Sequence, residues 1–191
     1  MIDLIDVSHW NFDVDWQQVA GQVAAVYIKA TEGVGSVDAR FAANWLGAQN
    51  YSIPVGAYHF FRTDQDAQAQ AEHFLSTVQG GDLDPVLDIE IIHKPIKQSL
   101  ADAIAAYIQV VGNALQSKRV MIFTGPSFWT GSMGNITDFA GQPLWTAEYT
   151  NRPAPRLYGG WTSYRYWQYT DKGRVAGIRG NVDLSRKGDT P

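Results

Sequence analysis

Short, largely apolar and β-branched runs recur along the chain between stretches of helical spacing, and this alternation restricts the fold more than any other feature of the sequence. It is the pattern of strands feeding crossover helices, which builds a parallel sheet with helices packed on its outer face. Residues 4–7, 25–29, 55–60, 86–89, 120–124, 144–147 and 166–168 are the expected strands. Residues 38–50 and 64–78 are expected helices, each with acidic side chains in the first turn, where the positive end of the helix dipole favours them. The longest helix, 99–116, carries Leu100, Ile104, Tyr107, Ile108, Val111 and Leu115 at spacings of three and four, so that they share one face. After Thr124 the helical signal fades into segments rich in Gly, Pro and aromatics. The expected fold is a single-domain, irregular α/β barrel, TIM-like, with an incomplete helical ring in its C-terminal third.

At 191 residues, with 45% hydrophobic and 18% charged side chains, the chain has material for one substantial core and none of the signature of disorder. No internal repeat, low-complexity tract or linker divides it, so one domain over 1–191 without a separate binding module is expected. A net charge of −4 and the lack of a dense Lys/Arg stripe argue against a groove that tracks nucleic-acid phosphates. Zero cysteines exclude disulfides, thiolate nucleophiles and zinc-thiolate sites. No apolar run approaches the roughly twenty residues that span a bilayer, and the first residues, Met1-Ile2-Asp3-Leu4-Ile5-Asp6, are acidic where a Sec signal is basic. A soluble monomer made in the cytoplasm is therefore expected.

The chemistry lies in acids that end apolar runs. Asp88-Ile89-Glu90 follows Pro85-Val86-Leu87, and two residues apart on a strand face the same way, so both carboxylates project together. Crowding and partial desolvation raise the proton affinity of one of them, leaving a protonated donor beside an ionised partner, as glycosidic cleavage requires. An isolated Asp-x-Glu is more often a strand end that meets solvent or forms ion pairs. Asp6 and Asp183 also terminate apolar runs, and in parallel barrels such positions gather at one mouth.

Five segments together resemble glycoside hydrolase family 25, the lysozymes common among bacteriophage endolysins and bacterial autolysins. They are Asp6-Val7-Ser8-His9-Trp10-Asn11 with Val14-Asp15-Trp16; Ile28-Lys29-Ala30-Thr31-Glu32-Gly33 with Asp38 and Phe41; Gly56-Ala57-Tyr58-His59-Phe60; Pro85 to Glu90; and Trp167-Gln168-Tyr169-Thr170 with Gly177-Ile178 and Asn181-Val182-Asp183. The resemblance spans nearly the whole chain. It implies cleavage of the β-1,4 bond between N-acetylmuramic acid and N-acetylglucosamine in peptidoglycan, with no metal and no cofactor. It implies Glu90 as general acid, Asp88 beside the acetamido group of the cleaved sugar, and Asp6 and Asp183 as further acids of the cleft. Tyr58, Tyr149, Trp167, Lys29 and Glu32 fall in the matching motifs as candidate substrate contacts; core packing for the aromatics and a structural ion pair for Lys29 and Glu32 are the alternatives. Retention assisted by the substrate's N-acetyl oxygen and inversion by water both remain open. Glu148 stands where the family pattern has a neutral or histidine side chain, either as a solvated rim residue or as a group that shifts the proton affinity of the catalytic pair.

Two other classes share parts of this pattern. Four histidines accompany the acids, but no His-Glu-x-x-His spacing occurs to suggest a metal-dependent hydrolase. A carbohydrate-binding module would use the 13% aromatics, including seven Trp, yet has no need of paired strand-end acids.

Overall fold

The computed structural model of the chain describes residues 1–94, 99–116 and 119–188. Strands β1 (Leu4–Val7), β2 (Val26–Glu32), β3 (Ser36–Val37), β4 (Val55–Phe60), β5 (Val86–Asp88), β6 (Met121–Thr124), β7 (Leu144–Ala147), β8 (Tyr166–Gly173) and β9 (Val182–Lys187) form one sheet. Its order is β1-β9-β8-β7-β6-β5-β4-β2-β3, and an added β1–β2 pairing closes eight of these strands into a barrel, with β3 a short hairpin arm on β2. Every barrel pairing is parallel except those of β9, which runs antiparallel to both β8 and β1 and seals the cylinder.

Helices α1 (Trp16–Val19), α2 (Phe41–Asn50), α3 (Ala67–Thr77) and α4 (Leu100–Leu115) fill the first part of the outer ring, and among the described residues only the six-residue α5 (Pro126–Gly131) follows β6. The incomplete ring is thus as the sequence implies. Two helices start later than their acidic residues suggest, because those side chains work elsewhere. Asp38 accepts from the backbone of His9 and Arg40, leaving α2 to begin at Phe41. Asp64 pairs with Arg62, and Asp66 is the true N-cap of α3, accepting from Ala69 N at 2.8 Å.

Strand alternation divides the apolar residues into two layers. Ile5, Ile28, Leu87 and Ile122 point outward and pack with Phe74, Ile104 and Tyr107 of the helices. Leu4, Tyr27, Val86, Met121, Phe123, Trp145 and Tyr166 point inward and plug the barrel, as expected of a packed cylinder rather than a pore. Two polar tips in this plug find partners: Tyr27 donates to Asp84 O at 2.9 Å and Trp145 Nε1 to Ser185 Oγ at 3.0 Å. Position 56 must be glycine, because a Cβ there would sit 2.3 Å from the Tyr27 ring.

His59 lies on the outer face of β4, fully buried against Phe61, Phe74 and Tyr107. One ring nitrogen meets Thr31 Oγ1 at 2.7 Å and the other Gln70 Oε1 at 3.1 Å. Burial pulls its pKa from 6.5 to about 4, against the opposing effect of Gln70. The unfolded chain therefore binds this proton between pH 6.5 and 4 while the folded one does not. The stability that neutral His59 supplies is complete above 6.5 and is lost as pH falls toward 4, by about 3 kcal/mol. Denaturant unfolding from pH 7 to 4 should show that loss in the wild type relative to His59→Gln; parallel curves would refute it.

Candidate active site

The strand ends hold the acids at one mouth. In β1, Leu4 and Asp6 share the inward face, so the residue above the apolar plug is a carboxylate. In β5, Val86 and Asp88 do the same; the strand itself stops at Asp88, and Glu90 stands just beyond it on the same side. Asp183 reaches the mouth differently from expectation: it lies near the start of β9, not the end of a parallel strand. Because β9 is antiparallel, its beginning meets the carboxyl ends of the others, and Asp183 pairs in register with Asp6.

Asp6, Asp88, Glu90 and Asp183 thus line one cleft of about 350 Å³, together with Ser8, Trp10, Asn11, Lys29, Tyr58 and Tyr149 among others. Below it, Asp6, Tyr58 and Asp88 border a space of about 10 Å³, room for one water molecule. Asp6 and Asp88 are buried, at 9% and 6% exposure, whereas Glu90 is exposed at the rim.

This crowding raises the proton affinity of all four acids. Burial dominates for Asp6, followed by the charge of Asp183, while a hydrogen bond from Gln168 opposes the rise. Asp88 is raised by burial and by Glu90, and Glu90 by burial and by Asp183; Lys29 opposes both. Asp183 is raised by burial, offset by a hydrogen bond with Asp6. Asp88 Oδ1 is buried without a hydrogen-bond partner among the described residues. Tyr58 and Tyr149 are also pushed up, chiefly by burial, and so keep their hydroxyl protons.

The chain and its barrel are matched by known proteins. The family profile described as Glycosyl hydrolases family 25 covers residues 5–178. The chain belongs to this family. It is 35% identical over 202 residues to Lysozyme M1 of Streptomyces globisporus, covering 95% of this chain and 66% of that protein. The chain therefore spans about two thirds of that relative's length. The crystal structure of the bacterial lysozyme from Streptomyces coelicolor superposes with a TM-score of 0.85 at 34% identity, covering 97% of this chain and 91% of that one. The muramidase from Acremonium alcalophilum gives 0.85 at 30% identity, covering 98% and 93%.

Among the family 25 motifs, not every expected contact reaches the cleft. Tyr58, Tyr149 and Lys29 do, and Lys29 is the only Lys or Arg lining it among the described residues. Its Nζ lies 2.7 Å from Glu32 Oε2 and 4.6 Å from the centre of the Phe60 ring. Glu32 and Trp167 are not among the lining residues. Glu32 is spent on Lys29 and Arg62, the structural ion pair weighed as its alternative. Trp167 alternates with the inward Tyr166 and Gln168, so its ring is buried on the other face, with Nε1 donating to Glu148 O at 2.8 Å.

Glu148 neither points free into solvent nor adds repulsion to the acids. Its carboxylate meets Arg152 and Arg156, each at 2.6 Å, and the Arg156 amide at 2.7 Å; these partners hold its pKa below the usual range despite burial. Other lining residues, Trp10 and Gln168 above all, carried the resemblance without being singled out as contacts. Trp10 is 74% exposed on a 3-10 turn (His9–Asn11) fixed by a reciprocal Ser8–Asn11 cap and by Asp38 bound to His9. The Ser8-x-x-Asn11 spacing was the available signal for that fixed, outward indole. The rings of His9, His59 and His73 bond to separate partners, and no group of His, Asp and Glu among the described residues has the arrangement of a metal site. No described helix is long and apolar enough to cross a membrane.

Proposed function

We propose that the chain is an N-acetylmuramidase that hydrolyses the β-1,4 bond between N-acetylmuramic acid and N-acetylglucosamine in bacterial peptidoglycan. The observation that carries this is the convergence of Asp6, Asp88, Glu90 and Asp183, from three remote parts of the chain, on one open cleft. Glu90 is the proton donor: its proton affinity is raised, and its place at the rim gives the leaving glycosidic oxygen access to it. Asp88 lies deeper in the same cleft, beside the acetamido group of the cleaved sugar. Asp6 and Asp183 supply negative potential to the oxocarbenium-like centre. Trp10 and Tyr149 offer the exposed faces on which sugar rings stack.

A glycan-binding module without turnover would need the aromatics but not this set of strained acids. Catalysis by a monomer, and the setting of a phage endolysin that reaches the wall from inside the host, complete the proposal. A gene remote from any phage lysis cluster would count against that setting.

Analysis of the reducing ends released from purified peptidoglycan tests the bond assignment. New reducing ends on muramic acid are expected. Ends on glucosamine would instead mean a glucosaminidase, and free peptide stems an amidase.

A further inference from the structure

Gln168 projects inward from β8, and both ends of its amide are engaged. Tyr149 donates its hydroxyl proton to Gln168 Oε1 at 2.8 Å, and Gln168 Nε2 donates to Asp6 Oδ2 at 3.0 Å. An amide offers one acceptor oxygen and two donor hydrogens, so fixing one end fixes the other. With Tyr149 as donor, Gln168 turns N–H toward Asp6; with the amide reversed, its oxygen would face Asp6 and require a proton on Oδ2. Tyr149 is itself placed by the chain beside it. The preceding residue, Glu148, is tied through its side chain to Arg152 and Arg156 and through its carbonyl to Trp167 Nε1.

We propose that Tyr149 and Gln168 form a hydrogen-bond relay that sets the proton of the Asp6–Asp183 pair, holding Asp6 Oδ2 as a bare acceptor and leaving the shared proton on the oxygen that faces Asp183. This rests on the muramidase reading for its purpose and goes beyond it in naming two positioning residues that act through Asp6. The relay stabilises the singly ionised pair, the form that presents negative charge to the reacting sugar. Without it the pair binds its second proton more readily, because a hydrogen bond to the charged form is lost while burial and crowding remain. The acids facing the pair add to that tendency, Glu90 and Asp88 from the end of β5 and Asp171 from β8; Tyr58 of β4 faces it as a neutral group, and Lys29 of β2 opposes the rise at Asp88 and Glu90.

Two measurements on Gln168→Leu and Tyr149→Phe test the relay. One is the carbon-13 titration of the Asp6 and Asp183 carboxyls, which reads the pair whether or not the protein hydrolyses peptidoglycan. The other is the pH profile of kcat/KM. In Gln168→Leu both the lower carboxyl midpoint and the acid limb are expected to move up by about one pH unit. Tyr149→Phe removes only one hydroxyl from a side chain that is 55% exposed, so its fold is safe; it should move both in the same direction by less, as the amide loses its orienting donor. Unmoved carboxyl midpoints in both variants overturn the relay, as does a profile lowered at all pH values without displacement of the limb. Displacement in Gln168→Leu alone also overturns it, since Tyr149 then does not orient the amide. If instead the wild type releases no muramic acid ends while the midpoints shift as expected, the muramidase reading fails and the relay stands.

Discussion

Glu90→Gln should lower peptidoglycan hydrolysis by about 10²–10⁴-fold, the contribution typical of a positioned general acid, while glycan binding stays within severalfold of the wild type. The amide keeps the shape of the side chain but has no proton of suitable acidity to give. Because Glu90 is exposed at the rim, no core contact is lost. Its raised proton affinity means that its charge is unfavourable in the folded protein, so a neutral substitute relieves repulsion with Asp183. The sign of the stability change follows. A carboxyl with a raised pKa supplies stability at low pH that is lost as pH rises through its folded value, and at neutral pH the variant should melt no lower than the wild type. Lytic assays, binding to insoluble peptidoglycan and thermal melts at pH 7 together check this. An undiminished lytic rate would remove Glu90 from the chemistry and with it the central assignment of the site.

Removal of residues from Gly180 onward should abolish hydrolysis by a different route, through loss of the closed barrel as well as of Asp183. Strand β9 pairs with both β1 and β8, so its absence leaves two sheet edges unpaired at once. It also strips Val182 and Leu184 from the core, where each buried side chain contributes about 1.5–3 kcal/mol. The expected product is a chain without a cooperative melt and prone to aggregate. Asp183→Asn separates the two effects: it keeps the strand, should melt cooperatively, and should still hydrolyse far more slowly than the wild type. Circular dichroism and turbidity assays on both variants decide the matter. A truncated chain of full activity would refute the place given to β9 and Asp183.

Much of the barrel was legible because its cues are local. Apolar runs bounded by turns marked the seven parallel strands, and the spacing of Ile104, Tyr107 and Val111 marked the helix that covers them. The direction of β9 was not legible, since Val182-Asp183-Leu184 looks the same whichever way a strand runs; only its pairing with Asp6 shows it. Side-chain parity along β8 held more than was drawn from it. Tyr166 and Gln168 share a face that excludes Trp167, which alone identifies Gln168 rather than its neighbour as the residue at the mouth. The state of Glu148 was beyond reach, because its arginine partners come from an irregular segment whose path no periodicity encodes.

The seal made by β9 also sets an order of events during synthesis. Gln168 meets Asp6 across 162 positions, and Lys187 bonds to Asp3 across 184. Contacts so remote in sequence form late and slowly, since a long loop must close before they repay its entropy. A nascent chain on the ribosome therefore holds its first acid ready long before the last one exists, and the power to cut a wall arrives only when the final turn of the cylinder does.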